Sequence, residues 1–102
     1  MVMGIEEVIL VADNKGVWDV KVEARLDTGA KRTSIDVVLA EFLRLKTFGE
    51  VTVNSTNGTQ TRELVELTVI YDGDEYIVEA SVSDRGHMNY PVVIGRDILE
   101  QE

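Results

Sequence analysis

The chain has 102 residues, of which 44% are hydrophobic and 28% charged, a composition typical of a folded protein with one modest core. Ten lysines and arginines against nineteen acidic residues give a formal net charge of −9, which disfavours nucleic acid and anionic membrane surfaces as partners. With no cysteine and no basic, apolar leader, we expect a single domain over residues 1–102 that is cytoplasmic.

The chain is predicted to open with a β-hairpin. A first strand is expected over Ile5–Ala12, and Asp13–Gly16 supply turn residues. A second strand is predicted over Val17–Leu26, because apolar side chains occupy every second position: Trp18, Val20, Val22, Ala24 and Leu26. This strand leads directly into Asp27, so an acid is placed where the strand stops.

The next segment, Ile35–Leu45, has two interpretations. Four apolar residues recur at helical spacing, and Ser34 or Asp36 can cap the N-terminus of such a helix; the four are Ile35, Val38, Phe42 and Leu45. The run Val37–Leu39 would also suit a buried strand, so both a short helix and a strand remain open.

The second half of the chain is predicted to be mostly strand. Three strands are expected, joined by turns at Asn57-Gly58 and Asp72-Gly73; they span Val51–Asn54, Thr61–Tyr71 and Glu75–Val82. The late apolar run "YPVVI" fits a buried strand that stops at Gly95, where the missing side chain lets another backbone approach. A last turn of helix is expected from Arg96 onward.

Two short motifs carry the functional signal. Asp27-Thr28-Gly29 alone is weak, because aspartate and glycine are common turn residues. In its context, "LDTGAKRTS" after an alternating strand and "VVIGRDIL" near the end, the chain resembles the retropepsin-like aspartic proteases over about Val17–Leu99. Within that class it is similar to the bacterial and archaeal subgroup labelled ATP-dependent zinc proteases.

The resemblance implies an all-β, closed, barrel-like fold with a flap hairpin and one or two short helices. It also implies an aspartic endopeptidase acting on extended peptide segments, and a symmetric homodimer, since one chain offers one Asp-Thr-Gly. Asp27 would then be the catalytic acid and base, Thr28 would brace the partner loop, and Gly29 and Ala30 would complete the active-site loop. Asn57 and Gly58 would form the flap.

Gly95 and Arg96 would support the active-site loop from below. In viral retropepsins an acid follows Asp-Thr-Gly-Ala and pairs with this late arginine, but here that position is Lys31. Arg96 is therefore expected to use either a carbonyl or Asp97. Viral enzymes also add a C-terminal strand to their dimer sheet, whereas this sequence ends three residues after Leu99, so the N-terminal strand is a candidate for the interface.

The sequence predicts no metal site and no cofactor. His87 is the only histidine and belongs to no His-Glu-x-x-His pattern, so an ordinary loop histidine is the simpler interpretation. A sparse set of cations could converge near the cleft and attract an acidic peptide or protein substrate. These cations are Lys31, Arg32, Arg62, Arg85 and Arg96.

Two other functions remain open at this point. A retropepsin fold can serve as a catalytically silent dimerisation or peptide-binding module, because fold does not guarantee activity. Alternatively, the motif match is a coincidence and the chain is a different β-barrel binding domain. An intact Asp-Thr-Gly favours the enzyme, since a scaffold does not need an acid at that position.

Overall fold

The computed structural model describes residues 2–11, 19–55, 58–83 and 90–101. These residues form seven strands and two short helices. In chain order they are β1 (Val2–Val11), β2 (Val20–Asp27), β3 (Ser34–Asp36), α1 (Val37–Phe42), β4 (Thr47–Ser55), β5 (Gly58–Tyr71), β6 (Asp74–Ser83), β7 (Val92–Ile94) and α2 (Arg96–Leu99). Neither helix is long and apolar enough to cross a membrane.

The seven strands form one sheet in the order β1-β2-β7-β3-β6-β5-β4, and a further pairing between β1 and β5 closes it into a ring. β5 is long enough to pair with β6 along one edge and with β4 and then β1 along the other. The expected all-β class is confirmed. Two parallel pairings, β2 with β7 and β3 with β6, bring segments that are distant in the chain together.

The alternation read from the sequence fills the core as predicted. In β2, Ala24 and Leu26 are buried, while Arg25 between them is only half-buried. The inward residues of β5 and β6 are buried in the same way: Val65, Leu67, Val69, Tyr71, Tyr76, Val78 and Ala80. Trp18 and the predicted turn Asp13–Gly16 lie outside the described residues.

The β4–β5 hairpin is longer than the sequence indicates. β4 begins at Thr47 rather than Val51, with a register irregularity between Thr47 and Gly49, and β5 begins at Gly58. The predicted turn residue Asn57 lies outside the described residues. The early part of β4 was missed because its first residues do not alternate, and Phe48 there is exposed.

The segment after Ser34 resolves the helix-or-strand question by containing both. Asp36 ends β3 and caps α1, because its carboxylate accepts hydrogen bonds from the N–H groups of Val38 (3.0 Å) and Leu39 (3.3 Å). The predicted buried face is wrong at two positions, since Val38 is 68% exposed and Phe42 is 55% exposed. The helix starts only after Asp36, and its buried residue is Ala40 rather than Val38 or Phe42.

Candidate active site

Asp27 ends β2, and its carboxylate is held by the turn that follows. The Gly29 N–H donates to Asp27 Oδ1 at 2.8 Å, and the Ala30 N–H donates to the Asp27 carbonyl at 3.1 Å. The Gly29 N–H favours the charged form and holds the pKa of Asp27 below its ordinary value, against an opposing effect of partial burial. The Arg25 charge acts in the same direction as Gly29. The turn therefore orients the Asp27 carboxylate and favours its charged form.

Gly95 lies directly against the active-site loop, as the sequence predicted for a glycine that ends a buried strand. A Cβ at Gly95 would lie 2.7 Å from the Arg32 carbonyl carbon and 2.9 Å from the Ala30 oxygen. The next N–H, that of Arg96, donates to the same Ala30 oxygen at 2.8 Å. The two motifs therefore meet through backbone contacts that leave no space for a side chain.

A buried link between Thr33 and Asp97 ties the same two segments together. The Thr33 N–H donates to Asp97 Oδ2 at 2.9 Å, and the Thr33 hydroxyl donates to Asp97 Oδ1 at 2.7 Å. The same hydroxyl oxygen accepts from the Gly95 N–H at 3.2 Å. The signal for this link in the sequence is weak, because it consists of a hydroxyl after one motif and an acid in the other, 64 residues apart.

Arg96 does not pair with Asp97, although the structure describes both residues. The Asp97 carboxylate accepts from Thr33 instead, and the Arg96 side chain is exposed. The contact of Arg96 with a carbonyl is made by its backbone N–H. Lys31, which stands where viral enzymes have an acid, is also exposed. The connection between the two motifs is thus built from a threonine and an aspartate.

A cleft of about 480 Å³ opens beside Asp27 and extends to the β4–β5 hairpin. Asp27 is the only carboxylate among the described residues that line it. Apolar and polar groups complete the walls, and its lining residues are Arg25, Asp27, Ala30, Lys31, Arg32, Ser34, Val51, Thr52, Asn54, Arg62, Ser81 and Val93. An extended peptide segment could therefore contact both the acid and the hairpin.

Four cations line this cleft. Lys31, Arg32 and Arg62 converge there as the sequence suggested, and Arg25 joins them. Arg96 does not line the cleft, and Arg85 lies outside the described residues. The set surrounds a single carboxylate, so the cleft is locally positive in a chain whose net charge is −9.

Two of the cleft arginines are held by neighbours. Arg32 Nη1 donates to the Glu79 carbonyl at 3.3 Å and lies 3.7 Å from the Glu79 carboxylate. Arg62 Nη2 donates to Gln60 Oε1 at 3.2 Å, a contact that leaves its charge unneutralised.

The described part of the chain holds no cluster of three His, Cys, Asp or Glu residues suited to a metal ion, and His87 lies outside it.

Comparisons with known proteins agree with this geometry. No protein-family model and no curated protein matches the chain. Among solved structures, the EIAV protease in complex with the inhibitor HBY-793 superposes with a TM-score of 0.73 at 18% identity, covering 95% of this chain and 85% of that one. The fold is retropepsin-like.

Two further structures support the same assignment of the fold. The simian foamy virus (mac) protease gives a TM-score of 0.61 at 16% identity, covering 93% of this chain and 92% of that one. A retropepsin-like aspartic protease from Rickettsia conorii gives 0.60 at 22% identity, covering 96% and 79%. The narrower similarity to the ATP-dependent zinc protease subgroup stays a prediction.

Proposed function

We propose that this protein is an aspartic endopeptidase that hydrolyses peptide bonds of extended peptides with a pair of Asp27 residues, one from each subunit of a homodimer. The observation that carries the proposal is the position of Asp27. It is the sole carboxylate of the described cleft lining, it lies where the two sequence motifs meet, and its orientation is fixed by the Gly29 N–H.

The chemistry requires two carboxyl groups that share one proton. The ionised Asp27 removes a proton from a water molecule as the water oxygen bonds to the peptide carbonyl carbon, and the protonated Asp27 donates its proton to the carbonyl oxygen. Collapse of the resulting gem-diol breaks the C–N bond. The Asp27 that took the water proton gives it to the leaving nitrogen, and the other Asp27 takes back a hydroxyl proton as the carboxyl group of the product forms. Because the cleft of one subunit supplies one carboxylate, the second comes from another copy.

The position of β1 restricts how the two subunits meet. β1 pairs with β2 along its length, with Val2 opposite Asp27. Pairing the outer edges of two β1 strands would separate the two β2 strands by about 14 Å, three strand spacings. Two carboxylates could not share a proton at that distance. We therefore place the two-fold axis at the Asp27 loops themselves, where the half-buried Thr28 would brace the partner loop.

The cleft favours an acidic peptide or protein as substrate. Four cations surround one acid, so a peptide rich in carboxylates gains local attraction that the net charge of the protein would otherwise oppose. The β4–β5 hairpin contributes Val51, Thr52 and Asn54 to the cleft wall. In this proposal it is the flap that covers the bound peptide and excludes water.

A catalytically silent peptide-binding or dimerisation module is the second candidate. The observation in its favour is that the cleft of one subunit has several groups for binding a peptide but one carboxylate for chemistry. This module would bind the same extended, acidic segments without cleaving them.

A peptide library that includes acidic sequences separates these functions. Wild type and Asp27→Asn are incubated with the library from acidic to neutral pH, and products are identified by mass spectrometry. The enzyme predicts cleavage by wild type and a loss of at least about 100-fold in the variant, because the general base is removed. Equal cleavage by both folded proteins would contradict the proposal, and binding without cleavage by either would support the silent module.

A further inference from the structure

Arg25 is placed to act beside Asp27. The two residues lie two positions apart on β2, and side chains along a strand alternate between its faces. Ala24 and Leu26 point into the core, so Arg25 and Asp27 share the opposite face. Both residues line the cleft.

Arg25 forms no close ion pair among the described residues, although its charge acts on the nearby Asp27 carboxylate. Its side chain is half-buried, its Nε atom is buried without a hydrogen-bond partner, and no described acidic residue forms an ion pair with it. Arg32, by contrast, contacts Glu79. A buried donor without a hydrogen-bond partner is unfavourable, and in a native protein it calls for an explanation such as a functional role. Burial of Nε also restrains the guanidinium at the cleft wall.

We propose that Arg25 is the specificity-determining residue of the cleft, which binds the carboxylate of an acidic substrate side chain near the scissile bond. The inference rests on the proposed function and deepens it. A carboxylate matches the planar donor geometry of arginine and would give the guanidinium a charged hydrogen-bond acceptor, which no described residue provides.

The spacing along β2 indicates which substrate residue contacts Arg25. Arg25 and Asp27 are separated by about 7 Å along the strand, two residues at about 3.3 Å each. An extended peptide has the same rise per residue. The side chain that contacts Arg25 therefore belongs to a residue within about two positions of the scissile bond. In a two-fold dimer the second Arg25 repeats this preference on the other side of that bond.

Pairs of peptides that differ by one Glu→Gln replacement near the scissile bond test the inference. Wild type is expected to cleave the Glu peptide with a kcat/KM about tenfold or more above that of the Gln peptide, because a charge-assisted contact is lost. Arg25→Met should abolish this preference, and Arg25→Lys should restore part of it. Lys21→Met is the matched control, since Lys21 lies on the same strand, is exposed and does not line the cleft.

Binding provides a readout that does not require turnover. The affinities of the same peptide pairs are measured by calorimetry on Asp27→Asn alone and on Asp27→Asn combined with Arg25→Met, after circular dichroism has shown both to be folded. Preference for the Glu peptide that disappears with Arg25→Met supports the inference, even if wild type cleaves nothing and the proposed function fails. Equal affinity of Asp27→Asn for the two peptides, or a preference that survives Arg25→Met, would overturn it.

Discussion

The floor and one wall of the cleft are built in different ways. The floor, comprising residues 27–34 and 95–97, is held by backbone hydrogen bonds and by the buried link from Thr33 to Asp97. The wall formed by the β4–β5 hairpin exposes most of its side chains, and its polar contacts, such as Thr59 Oγ1 to Asn54 Oδ1 at 3.3 Å, lie at the surface. Catalysis needs a fixed acid, whereas an extended peptide needs a wall that can adapt to it.

The difference indicates which positions of this chain tolerate substitution and which do not. Floor positions combine close backbone approach with polar groups that are buried and satisfied, so their substitution should alter both stability and the site. Hairpin positions lack both features and should tolerate the same substitutions. Matched changes in the two regions therefore test the comparison directly.

The largest expected effect concerns the affinity of the proposed dimer, which should depend on the proton that the two Asp27 carboxylates share. In the single chain the Gly29 N–H holds the pKa of Asp27 below its ordinary value. In the proposed dimer, repulsion between the two Asp27 carboxylates would raise the pKa of the shared proton. The dimer thus binds one proton more than two separate subunits between these two pKa values. Dimer affinity should fall about tenfold per pH unit as pH rises through that window.

Sedimentation equilibrium across acidic to neutral pH measures this dependence. Asp27→Asn is the control, and its self-association should not change with pH in the same range. A wild-type dimer whose affinity is independent of pH would show that the two carboxylates do not share a proton.

Gly95→Ala should produce the next largest effect. Its Cβ would lie within 3.0 Å of backbone atoms of Arg32 and Ala30, which cannot move aside as a side chain can. We expect a loss of about 3 kcal/mol in the free energy of unfolding, measured by urea titration. Gly49→Ala in β4 is the matched control, because its Cβ would meet nothing within 4 Å. Equal losses for the two variants would show that the floor is no more sensitive to an added side chain than the hairpin.

Thr33→Val should have a smaller effect that is still confined to the floor. The valine keeps the shape of the side chain but leaves Asp97 Oδ1 and the Gly95 N–H without their partner, at a cost of about 2 kcal/mol. Thr59→Val removes an exposed hydrogen bond to Asn54 and should change the free energy of unfolding by less than about 0.5 kcal/mol. Thermal and urea unfolding of both variants measure the difference. The loss in the free energy of unfolding should be clearly larger for Thr33→Val than for Thr59→Val.

Much of the fold could be predicted because alternation identifies core faces. The strands around Ala24, Val69 and Val78 followed from their period of two. The helical face of α1 was wrong because spacing alone does not specify where a helix begins. The pairing of β3 with β6 and β7 delays the start of α1 to Val37, and this leaves Phe42 in solvent.

The sequence indicated which two motifs form the candidate site, but not the residues that join them. Asp27 and Gly95 carry local signals, an acid at a strand end and a glycine after a buried strand. The link from Thr33 to Asp97 depends on a contact across 64 residues that no local pattern reveals. No role was predicted for Arg25, because a period of two indicates which face is buried in the core and does not indicate what covers the other face.

Mixing subunits tests most directly whether two subunits each supply one Asp27 to a shared active site. Wild type and Asp27→Asn are equilibrated under conditions that permit exchange, and peptide cleavage is measured as the fraction of wild type falls at constant total protein. Activity is expected to be proportional to the square of the wild-type fraction, because only dimers with two Asp27 residues are active. Activity that falls in direct proportion to the wild-type fraction would contradict the shared site, since each subunit would then work with its own carboxylate alone.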